Sequence, residues 1–245
     1  MIRIEGVRKA FRGKPVLTGV DLQIEKGESL VVIGKSGGGK SVLLKLLIGL
    51  LKPDAGRIWV DDLEVTALRR RDLFALRTRF GMLFQGAALF DSMTVGENIA
   101  LGLREHTKKS ERETRAIVKE RLEHVALDET IVDLKPAALS GGMRKRVGLA
   151  RALAMNPEYM LYDEPTTGLD PISGDVINDL IVSLREKYKV TSITVTHDMK
   201  SAFKIADSIA MLHEGKVIFR GSVEETQATD NPIVSNFVTG GDDEI

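Results

Sequence analysis

The chain has 245 residues, of which 43% are hydrophobic and 29% are charged, with 35 basic and 35 acidic side chains and no cysteine. This length fits one large domain, or one domain with an inserted subdomain. A formal net charge of zero argues against non-specific binding to nucleic acid, which needs an excess of basic residues. The absence of cysteine excludes disulfides and thiolate metal sites and suits a reducing compartment.

The first third of the chain is predicted to form strands around a glycine-rich loop. Apolar and polar residues alternate in segments 2–4 and 20–24, which indicates strands with one buried face. The continuous apolar run 30–33 indicates a strand that is buried on both faces. A helix is predicted at 40–51 and a short strand at 58–60.

Neither a targeting segment nor a membrane span is expected. The first residues alternate like a strand and lack the apolar stretch of a signal peptide. The longest apolar run, 42–51, is interrupted by Lys45 and is shorter than the about 20 residues of a membrane-spanning helix. We therefore expect a soluble, cytoplasmic chain, with any membrane part supplied by another protein.

The rest of the chain is predicted to form helices and then alternating strands and helices. Val118, Leu122 and Val125 recur at helical spacing, whereas the polar segment 106–115 is expected to be a surface loop or the start of a helix. The later predicted elements are strands at 160–162 and 192–196, helices at 144–154, 175–188 and 202–206, and a hairpin that turns at Glu214 and Gly215. This alternation implies a mainly parallel sheet covered by helices.

The C-terminal segment is predicted to contain one more helix, which Pro232 can start. Its apolar residues share one side, which is expected to cover its own domain, with contact to a second subunit as the alternative. These residues are Ile233, Val234, Phe237 and Val238. The last residues, 240–244, are expected to be frayed.

A phosphate-binding loop is the clearest motif. Its residues, which match the Walker A pattern G-x-x-x-x-G-K-[ST], are Gly34, Lys35, Ser36, Gly37, Gly38, Gly39, Lys40 and Ser41. Glycines let consecutive backbone N–H groups point at a phosphate, and the start of the next helix adds partial positive charge. Lys40 can reach the β- and γ-phosphates, and Ser41 can bind Mg²⁺. The alternative, a flexible glycine turn, is disfavoured by the strand before the loop and the helix after it.

Two carboxylates follow the predicted strand at 160–162, as in a Walker B motif. Asp163 can hold Mg²⁺ through water, and Glu164 can polarise the attacking water as general base. A plain acidic turn before Pro165 is the alternative. The combination of a buried strand with a phosphate loop elsewhere in the chain favours the catalytic interpretation.

A Ser-Gly-Gly motif precedes the helix predicted at 144–154. Ser140, Gly141 and Gly142 can form a second phosphate-binding helix N-terminus. For this segment alone, an ordinary serine cap is the better interpretation.

The order of these motifs resembles that of ABC-type ATPases. Walker A, the Ser-Gly-Gly signature, Walker B, a D-loop that ends at Asp170 and a switch segment around His197 follow one another within residues 1–221. The resemblance implies an α/β fold, with a RecA-like P-loop NTPase core, an antiparallel N-terminal β-subdomain and an inserted α-helical subdomain at about 91–155. Residues 222–245 would form a short C-terminal tail.

The resemblance also implies ATP hydrolysis with ATP and Mg²⁺ as cofactors. Phe11 would stack on adenine, and His197 would contact the γ-phosphate. The other ATP-binding residues would be those of Walker A together with Val16, Val42 and Gln85. The Mg²⁺ ligands would be Ser41, Gln85 and Asp163, and the catalytic residues Lys40, Gln85, Glu164 and His197. Taken singly, Phe11 would be a core aromatic, Gln85 a surface amide and His197 a helix cap.

A homodimer is a further implication of the resemblance. Walker A and the signature both bind phosphate, but a helical subdomain separates them, so one γ-phosphate cannot reach both within one chain. Asp170 would lie at the seam of the dimer, and Gln85 would sense the transporter. The residues that would contact the ATP of the other subunit are Ser140, Gly141, Gly142 and Met143.

The signature ends in Met143, where most ABC signatures have glutamine. A Leu-Ser-Gly-Gly-Met signature is similar to that of ATPases that energise Mce-type lipid transporters, including the Mla phospholipid system, and segments 82–85, 88–90 and 103–107 are similar to the same subfamily. This similarity implies phospholipid transport across the cell envelope and a position on the cytoplasmic face of the inner membrane. It also implies membrane permease partners and, indirectly, a lipid-binding Mce-type protein, but no nucleic acid.

Three alternatives remain open: the ATPase subunit of another ABC importer or exporter, a soluble ABC protein that acts on DNA or ribosomes, and a P-loop kinase for a small molecule. Soluble ABC proteins usually carry two cassettes or a long coiled coil, whereas this sequence has one cassette and no heptad tract. A kinase leaves the Ser-Gly-Gly signature and His197 unexplained.

Overall fold

The computed structural model describes residues 1–240. The chain divides into two compact units, each described by itself: the first joins Met1–Phe74 to the segment that starts at Thr191, and the second is Ala75–Val190. Within the segment expected to be frayed, 241–244 lies outside the described residues. The domain boundaries expected at 91, 155 and 221 stay predictions.

The elements are named in chain order. The strands are β1 (Ile2–Phe11), β2 (Lys14–Ile24), β3 (Ser29–Ile33), β4 (Ala55–Val60), β5 (Leu63–Glu64), β6 (Phe80–Leu83), β7 (Tyr159–Asp163), β8 (Thr191–Thr196), β9 (Ser208–His213) and β10 (Lys216–Ser222). The α-helices are α1 (Lys40–Leu47), α2 (Arg70–Arg77), α3 (Val95–His106), α4 (Glu111–His124), α5 (Gly141–Leu153), α6 (Pro171–Tyr188), α7 (Met199–Ile205), α8 (Val223–Gln227) and α9 (Pro232–Thr239).

The first unit contains an antiparallel sheet in the order β2-β1-β4-β5. Ile2, Ile4 and Val7 of β1 are buried, and the register with β2 shifts between Ile4 and Val7. Gly6 lies at this shift with a φ of 55°, which is the geometry of a β-bulge. The bulge returns Val7 to the buried face, so the alternation that predicted the strand continues beyond it. The expected antiparallel N-terminal sheet is therefore confirmed.

The same unit contains parallel strands that carry the phosphate loop. β3 pairs in parallel with β8 and with β9, and β9 forms an antiparallel hairpin with β10. Every residue of β3 and of β8 is buried, as the continuous apolar run of β3 predicts. The predicted hairpin is present, and its turn contains Glu214 and Gly215, both with positive φ.

The helix after the phosphate loop is shorter than predicted. α1 ends at Leu47, so its extension to residue 51 was wrong. Gly49 adopts a φ of 62°, and a glycine in the left-handed region just after the last helical residues is a common helix end. A side chain at Gly49 would also approach Leu73 Cδ2 to 2.6 Å. The apolar run therefore continues after the helix has ended.

The second unit combines helices α3–α6 with the parallel pair β6 and β7. Thr94 and Glu97 form a capping box at the start of α3, and Ser110 and Glu113 form another at the start of α4. The polar segment 106–115 therefore contains the end of α3 and the first turn of α4. Residues 107–110 between these two helices form a loop, so the prediction of a surface loop or the start of a helix is confirmed.

The C-terminal part of the first unit contains α8 and α9. Pro232 is the first residue of α9, and the Asn231 side chain caps the helix by accepting from the N–H groups of Ile233 and Val234. Val234 is fully buried, whereas Ile233 is partly exposed. The predicted helix start is confirmed. Within residues 1–240, no helix has the length and apolar character needed to cross a membrane.

Candidate active site

The Walker A loop connects β3 to α1 in the first unit. Gly34 has a φ of 150°, and a Cβ there would lie 2.3 Å from the Leu212 carbonyl oxygen. Gly39 has a φ of 97°, and its Cβ would lie within 3.0 Å of Leu17 and Val16 side-chain atoms. Both positions therefore require glycine, because the loop passes close to other backbone and side-chain atoms while in conformations that other residues rarely adopt.

Lys40 stabilises the Walker A loop through hydrogen bonds to two backbone carbonyls of the loop. Its side chain is 5% exposed, and Nζ donates to the Gly34 carbonyl at 2.6 Å and to the Lys35 carbonyl at 3.0 Å. The Gly38 N–H donates to the Lys35 carbonyl at 3.1 Å, which tightens the loop. A buried ammonium beside a helix N-terminus is a strongly positive environment, as an anion-binding loop requires.

The start of α1 adds to this electrostatic environment. Gly39 is the N-cap residue, and among the described residues no side chain caps this end of the helix through a hydrogen bond. The N–H groups of the first helical turn carry partial positive charge. Ser41 and Val42 belong to this first turn and are partly exposed. The loop and the helix start thus combine backbone donors, a lysine and a hydroxyl.

His197 follows β8 at the same edge of the sheet as the Walker A loop. Ile33 pairs with Thr196 across the parallel strands, so Gly34 and His197 each come directly after one member of this pair. The carboxyl ends of parallel strands form the usual ligand-binding edge of such sheets. The helix cap is Asp198, which accepts from the Lys200 N–H at 3.1 Å. His197 itself is exposed.

Phe11 and Val16 both belong to the chain's first hairpin, formed by β1 and β2. Phe11 ends β1 and is 41% exposed, so it is not a core aromatic. Lys9 Nζ lies 5.5 Å from the centroid of its ring, a cation–π distance. Val16 approaches the position that a Gly39 Cβ would occupy. The first unit therefore places an apolar side chain, Val16, beside the phosphate loop, and an exposed ring, Phe11, on the same hairpin as Val16.

The Walker B carboxylates lie at the end of β7 in the second unit. All five residues of β7 are buried, and Asp163 and Glu164 are only 6% and 8% exposed. Glu164 adopts a φ of 48°, which is uncommon for a residue other than glycine, asparagine or aspartate. Thr167 Oγ1 donates to Glu164 Oε2 at 3.1 Å. Such a strained backbone with a fixed carboxylate is a feature found at functional sites.

Lys145 of α5 is a residue that the sequence interpretation missed. Its side chain is buried, and Nζ donates to the Glu164 carbonyl at 3.1 Å. Burial lowers the pKa of Lys145 to about 8, although the charges of Asp163 and Glu164 oppose this shift. The available signal was its spacing, because Lys145 shares a helix face with the buried residues Leu149 and Ala152.

The Ser-Gly-Gly signature forms the N-terminus of α5. Ser140 is the N-cap, and its Oγ accepts from the Met143 N–H at 3.2 Å. This serine is therefore a cap, as the simpler interpretation proposed, and it is also exposed. Side chains at Gly141 and Gly142 would contact Leu169 and Ser173, respectively. The signature therefore lies beside the D-loop and the start of α6.

Asp170 caps α6 by accepting from the N–H groups of Ile172 and Ser173. Hydrogen bonds from Ser173 are the main reason that the pKa of Asp170 is lowered. Gln85, by contrast, follows β6 and is exposed. The second unit therefore contains the carboxylates, the signature, the D-loop aspartate and Gln85, and the first unit contains Walker A and His197.

The family model described as "ABC transporter" matches residues 17–167. The chain belongs to the ABC transporter family. It is an ATP-binding subunit of a transporter and an ATPase, with the RecA-like fold of ABC cassettes. The predicted fold class and the predicted enzyme class are therefore confirmed.

The curated relatives include proteins named for different transported substances. The chain is 42% identical over 241 residues to a probable ribonucleotide transport ATP-binding protein, mkl, of Mycobacterium leprae. The aligned region covers 98% of this chain and 69% of the relative. The chain is also 41% identical over 243 residues to the intermembrane phospholipid transport system ATP-binding protein MlaF of Haemophilus influenzae. Here the aligned region covers 99% of this chain and 92% of the relative. The chain spans about two thirds of the length of the mycobacterial relatives.

The solved structures include ABC cassettes captured as dimers. A dimeric structure of a post-hydrolysis state of the ATP-binding cassette MJ0796, bound to ADP and Pi, superposes with a TM-score of 0.85 at 33% identity. The match covers 91% of this chain and 99% of that chain. At 33% identity, this similarity supports membership of the same family as well as a common fold.

Proposed function

We propose that the chain hydrolyses ATP to energise an Mce/Mla-type transporter that moves phospholipid across the cell envelope. The observation that supports the phospholipid class best is the similarity to Haemophilus influenzae MlaF, which extends over nearly the whole of both chains. The Leu-Ser-Gly-Gly-Met signature that ends at Met143 agrees with it. The alternative, another importer or exporter, is supported by the mycobacterial relatives, which are named for ribonucleotide transport.

The nucleotide-binding roles are proposed from the geometry of the first unit. Phe11 presents an exposed ring for adenine, Val16 and Val42 add apolar contacts, and the Walker A backbone receives the phosphates. Lys40 exchanges its hydrogen bonds with loop carbonyls for charge-assisted bonds with phosphate oxygens, which are stronger. His197 is at the same edge of the sheet and is proposed to contact the γ-phosphate.

Mg²⁺ is proposed as a cofactor on the chemistry of its candidate ligands. Ser41, Gln85 and Asp163 offer a hydroxyl, an amide oxygen and a carboxylate, and Mg²⁺ prefers such hard oxygen ligands. Within residues 1–240 no group of three or more His, Cys, Asp or Glu side chains could hold a metal by itself, which fits an ion that keeps waters and shares its shell with phosphates. When bound, Mg²⁺ would neutralise phosphate charge.

Glu164 is the proposed general base for the attacking water. Thr167 donates to one carboxylate oxygen and Lys145 donates to the backbone carbonyl of the same residue, so the orientation of the carboxylate is restricted. Positioning of this kind converts a weak base into an effective one. Gln85 and Lys40 complete the proposed catalytic set.

A homodimer and membrane partners complete the proposal. The dimeric relative supports pairing in which the signature of one subunit, with Asp170 nearby, closes on ATP bound to the other. The permease would be contacted after Gln85, where Phe90 is 49% exposed, by docking of a helix in a groove. With these partners the chain would lie on the cytoplasmic face of the inner membrane, indirectly linked to a lipid-binding Mce-type protein and not to nucleic acid.

The test is co-purification of the tagged chain from detergent-solubilised membranes, followed by identification of its protein partners and bound lipids. We expect a permease, an Mce-type protein and phospholipid with the wild type, and none of them with Phe90→Asp, whose ATP affinity should be unchanged. Leu63→Asp is the matched control, because Leu63 is an exposed apolar residue on β5. Capture of a permease without an Mce-type protein or lipid would contradict the phospholipid class.

A further inference from the structure

The segment after Gln85 has an unusual backbone conformation. Ala87 and Ala88 both adopt the left-handed region, with φ of 59° and 50°. Residues with a Cβ visit this region rarely, and two in succession are rarer still, because Cβ approaches the following carbonyl oxygen. Such a conformation persists only where the surrounding structure imposes it.

Arg151 of α5 donates hydrogen bonds to both of these residues. Its Nη1 donates to the Ala88 carbonyl at 2.6 Å and its Nη2 donates to the Ala87 carbonyl at 2.8 Å. The planar guanidinium therefore binds both strained peptides at once, in the forked geometry that lysine cannot reproduce.

The packing of α5 against this segment is equally close. A Cβ at Gly148 would lie 2.9 Å from Leu83 Cδ1 and 3.3 Å from Ala87 Cβ. A Cβ at Gly81 would lie 2.5 Å from the Ala152 carbonyl oxygen. The two glycines allow the helix to lie directly on β6 and on the loop that follows it, so Arg151 reaches the loop carbonyls from a rigid support.

A second side chain, the buried Asn98, contacts the other end of the segment. Asn98 of α3 accepts from the Phe90 N–H at 2.8 Å and donates to the Phe90 carbonyl at 3.1 Å. The loop is therefore attached at Ala87 and Ala88 by one helix and at Phe90 by another. Gln85 lies just before the first attachment and is exposed, so its position depends on Arg151 more directly than on Asn98.

We propose that Arg151 is a positioning residue that holds Gln85 in place for Mg²⁺-nucleotide by imposing the left-handed conformation of Ala87 and Ala88. The inference rests on the function proposed for Gln85. Because Arg151 belongs to α5, the helix that Ser140 caps, a displacement of the Gln85 loop is also transmitted to the signature. The loop and the signature are therefore attached to one element.

The experiment compares Arg151→Met with a matched variant on the same helix. Arg146 Nη1 donates at 2.8 Å to the carbonyl of Ala126, which also has a positive φ, but this contact is not with the Gln85 loop. Two readouts are needed: amide hydrogen exchange of segment 86–90, and the affinity for a fluorescent ATP analogue with and without Mg²⁺. Neither readout depends on turnover.

We expect Arg151→Met to raise exchange in segment 86–90 and to reduce the Mg²⁺-dependent gain in affinity by about tenfold or more, the usual effect of losing a contact behind a metal ligand. Affinity without Mg²⁺ should be unchanged. Arg146→Met should alter neither readout, and Arg151→Lys should be intermediate. Equal exchange and equal Mg²⁺ dependence in Arg151→Met and Arg146→Met would overturn the proposal.

Glycine substitution provides a rescue that a general structural role would not predict. Glycine adopts positive φ without steric cost, so Ala88→Gly should partly restore both readouts in the Arg151→Met background, whereas Ala116→Gly, on the exposed face of α4, should not. If Arg151→Met does not fold, Ala88→Val serves instead: Ala88 is exposed, and a β-branched residue there opposes positive φ, so it should reproduce the loss. Unchanged behaviour in Ala88→Val would count against the proposal.

The role of Gln85 is tested separately by Gln85→Ala. If this variant retains the full Mg²⁺-dependent gain in affinity while Arg151→Met raises exchange only in segment 86–90, the function proposed for Gln85 fails and the conformational role of Arg151 stands. If Gln85→Ala loses the gain and Arg151→Met keeps it, the function of Gln85 stands and the positioning role of Arg151 fails.

Discussion

At the scale of single residues, Glu164 is distinguished from Asp163 by how it is held. Both carboxylates are buried, but only Glu164 has a left-handed backbone, and its carbonyl and carboxylate accept from Lys145 and Thr167. The direction of a side chain that follows a strand depends on the φ and ψ angles of its own residue. The contacts from Lys145 and Thr167 hold Glu164 in one conformation, so its carboxylate has a defined orientation although β7 ends at Asp163.

The first prediction concerns this carboxylate. Glu164→Gln keeps the shape and the Thr167 contact but removes the basic oxygen, so ATP binding should persist while turnover falls by about 100-fold or more. Lys40→Ala should instead weaken nucleotide binding, because it removes the buried cation of the Walker A loop. The measurements are ATP affinity and steady-state phosphate release. Near-normal turnover in Glu164→Gln would exclude Glu164 as the general base.

At the scale of secondary-structure elements, a polar contact links α4 to the end of α6. His124 Nδ1 lies 2.6 Å from Tyr188 Oη, and Nε2 contacts Lys187 Nζ. Burial, followed by the charge of Lys187, lowers the pKa of His124 below its ordinary value of 6.5, while Glu120 opposes the shift. The protonated imidazole is therefore less favourable in the folded protein than in the unfolded chain.

The second prediction is the pH dependence that this shift produces. Because the folded pKa is lower, the unfolded chain binds the proton more tightly, and the free energy of unfolding should fall as pH drops below about 6.5 and level off below the folded pKa. Denaturant unfolding above and below this pH should show the loss in the wild type and a smaller loss in His124→Gln. His106→Gln, at the exposed end of α3, is the control. An identical pH dependence in wild type and His124→Gln would contradict the assignment.

The third prediction separates the two roles considered for α9. Val234 is fully buried and Ile233 is partly exposed on the same helix, which supports a helix that covers its own unit. Deletion from Asn231 onward should therefore lower thermal stability, as should Val234→Asp, because each removes buried apolar surface. The self-association constant should be the same for the deletion, for Ile233→Asp and for the wild type. Weaker self-association in Ile233→Asp would instead assign α9 to the dimer.

Elements were predictable from sequence where a local pattern determines them. The buried strands β3 and β7 follow from apolar runs, the hairpin β9–β10 follows from its turn residues, and the start of α9 follows from Pro232. The end of α1 was not predicted, because the apolar run continues past Gly49. The helix ends where the backbone of Gly49 adopts a positive φ. Lys145 and Arg151 were missed for a related reason. Both side chains donate to backbone carbonyls that are distant in sequence, and every residue has a backbone carbonyl, so the sequence does not indicate which one is the partner.

At the scale of the whole molecule, the two helix starts that are proposed to bind phosphate raise the question of how many chains one site needs. Glycines precede the start of α1 and form the first two residues of α5, and Ser140 is exposed at the second helix start. The family membership and the dimeric relative favour a two-fold assembly, in which each ATP is enclosed by Walker A of one subunit and the signature of the other. Interactions with the γ-phosphate would then hold the dimer closed before hydrolysis and release it afterwards.

The last prediction follows from that arrangement. Ser140→Arg should leave ATP binding by the isolated subunit intact while it blocks closure and turnover, because the bulky cation replaces the small cap at the signature. A mixture of the inactive variants Lys40→Ala and Ser140→Arg should recover part of the activity. In the mixed dimer one site carries both changes and the other carries neither, so one functional site is restored. The measurement is phosphate release as a function of the mixing ratio and of total concentration, with each variant alone as control. Activity that stays constant on dilution to a monomer verified by light scattering would show that one chain suffices.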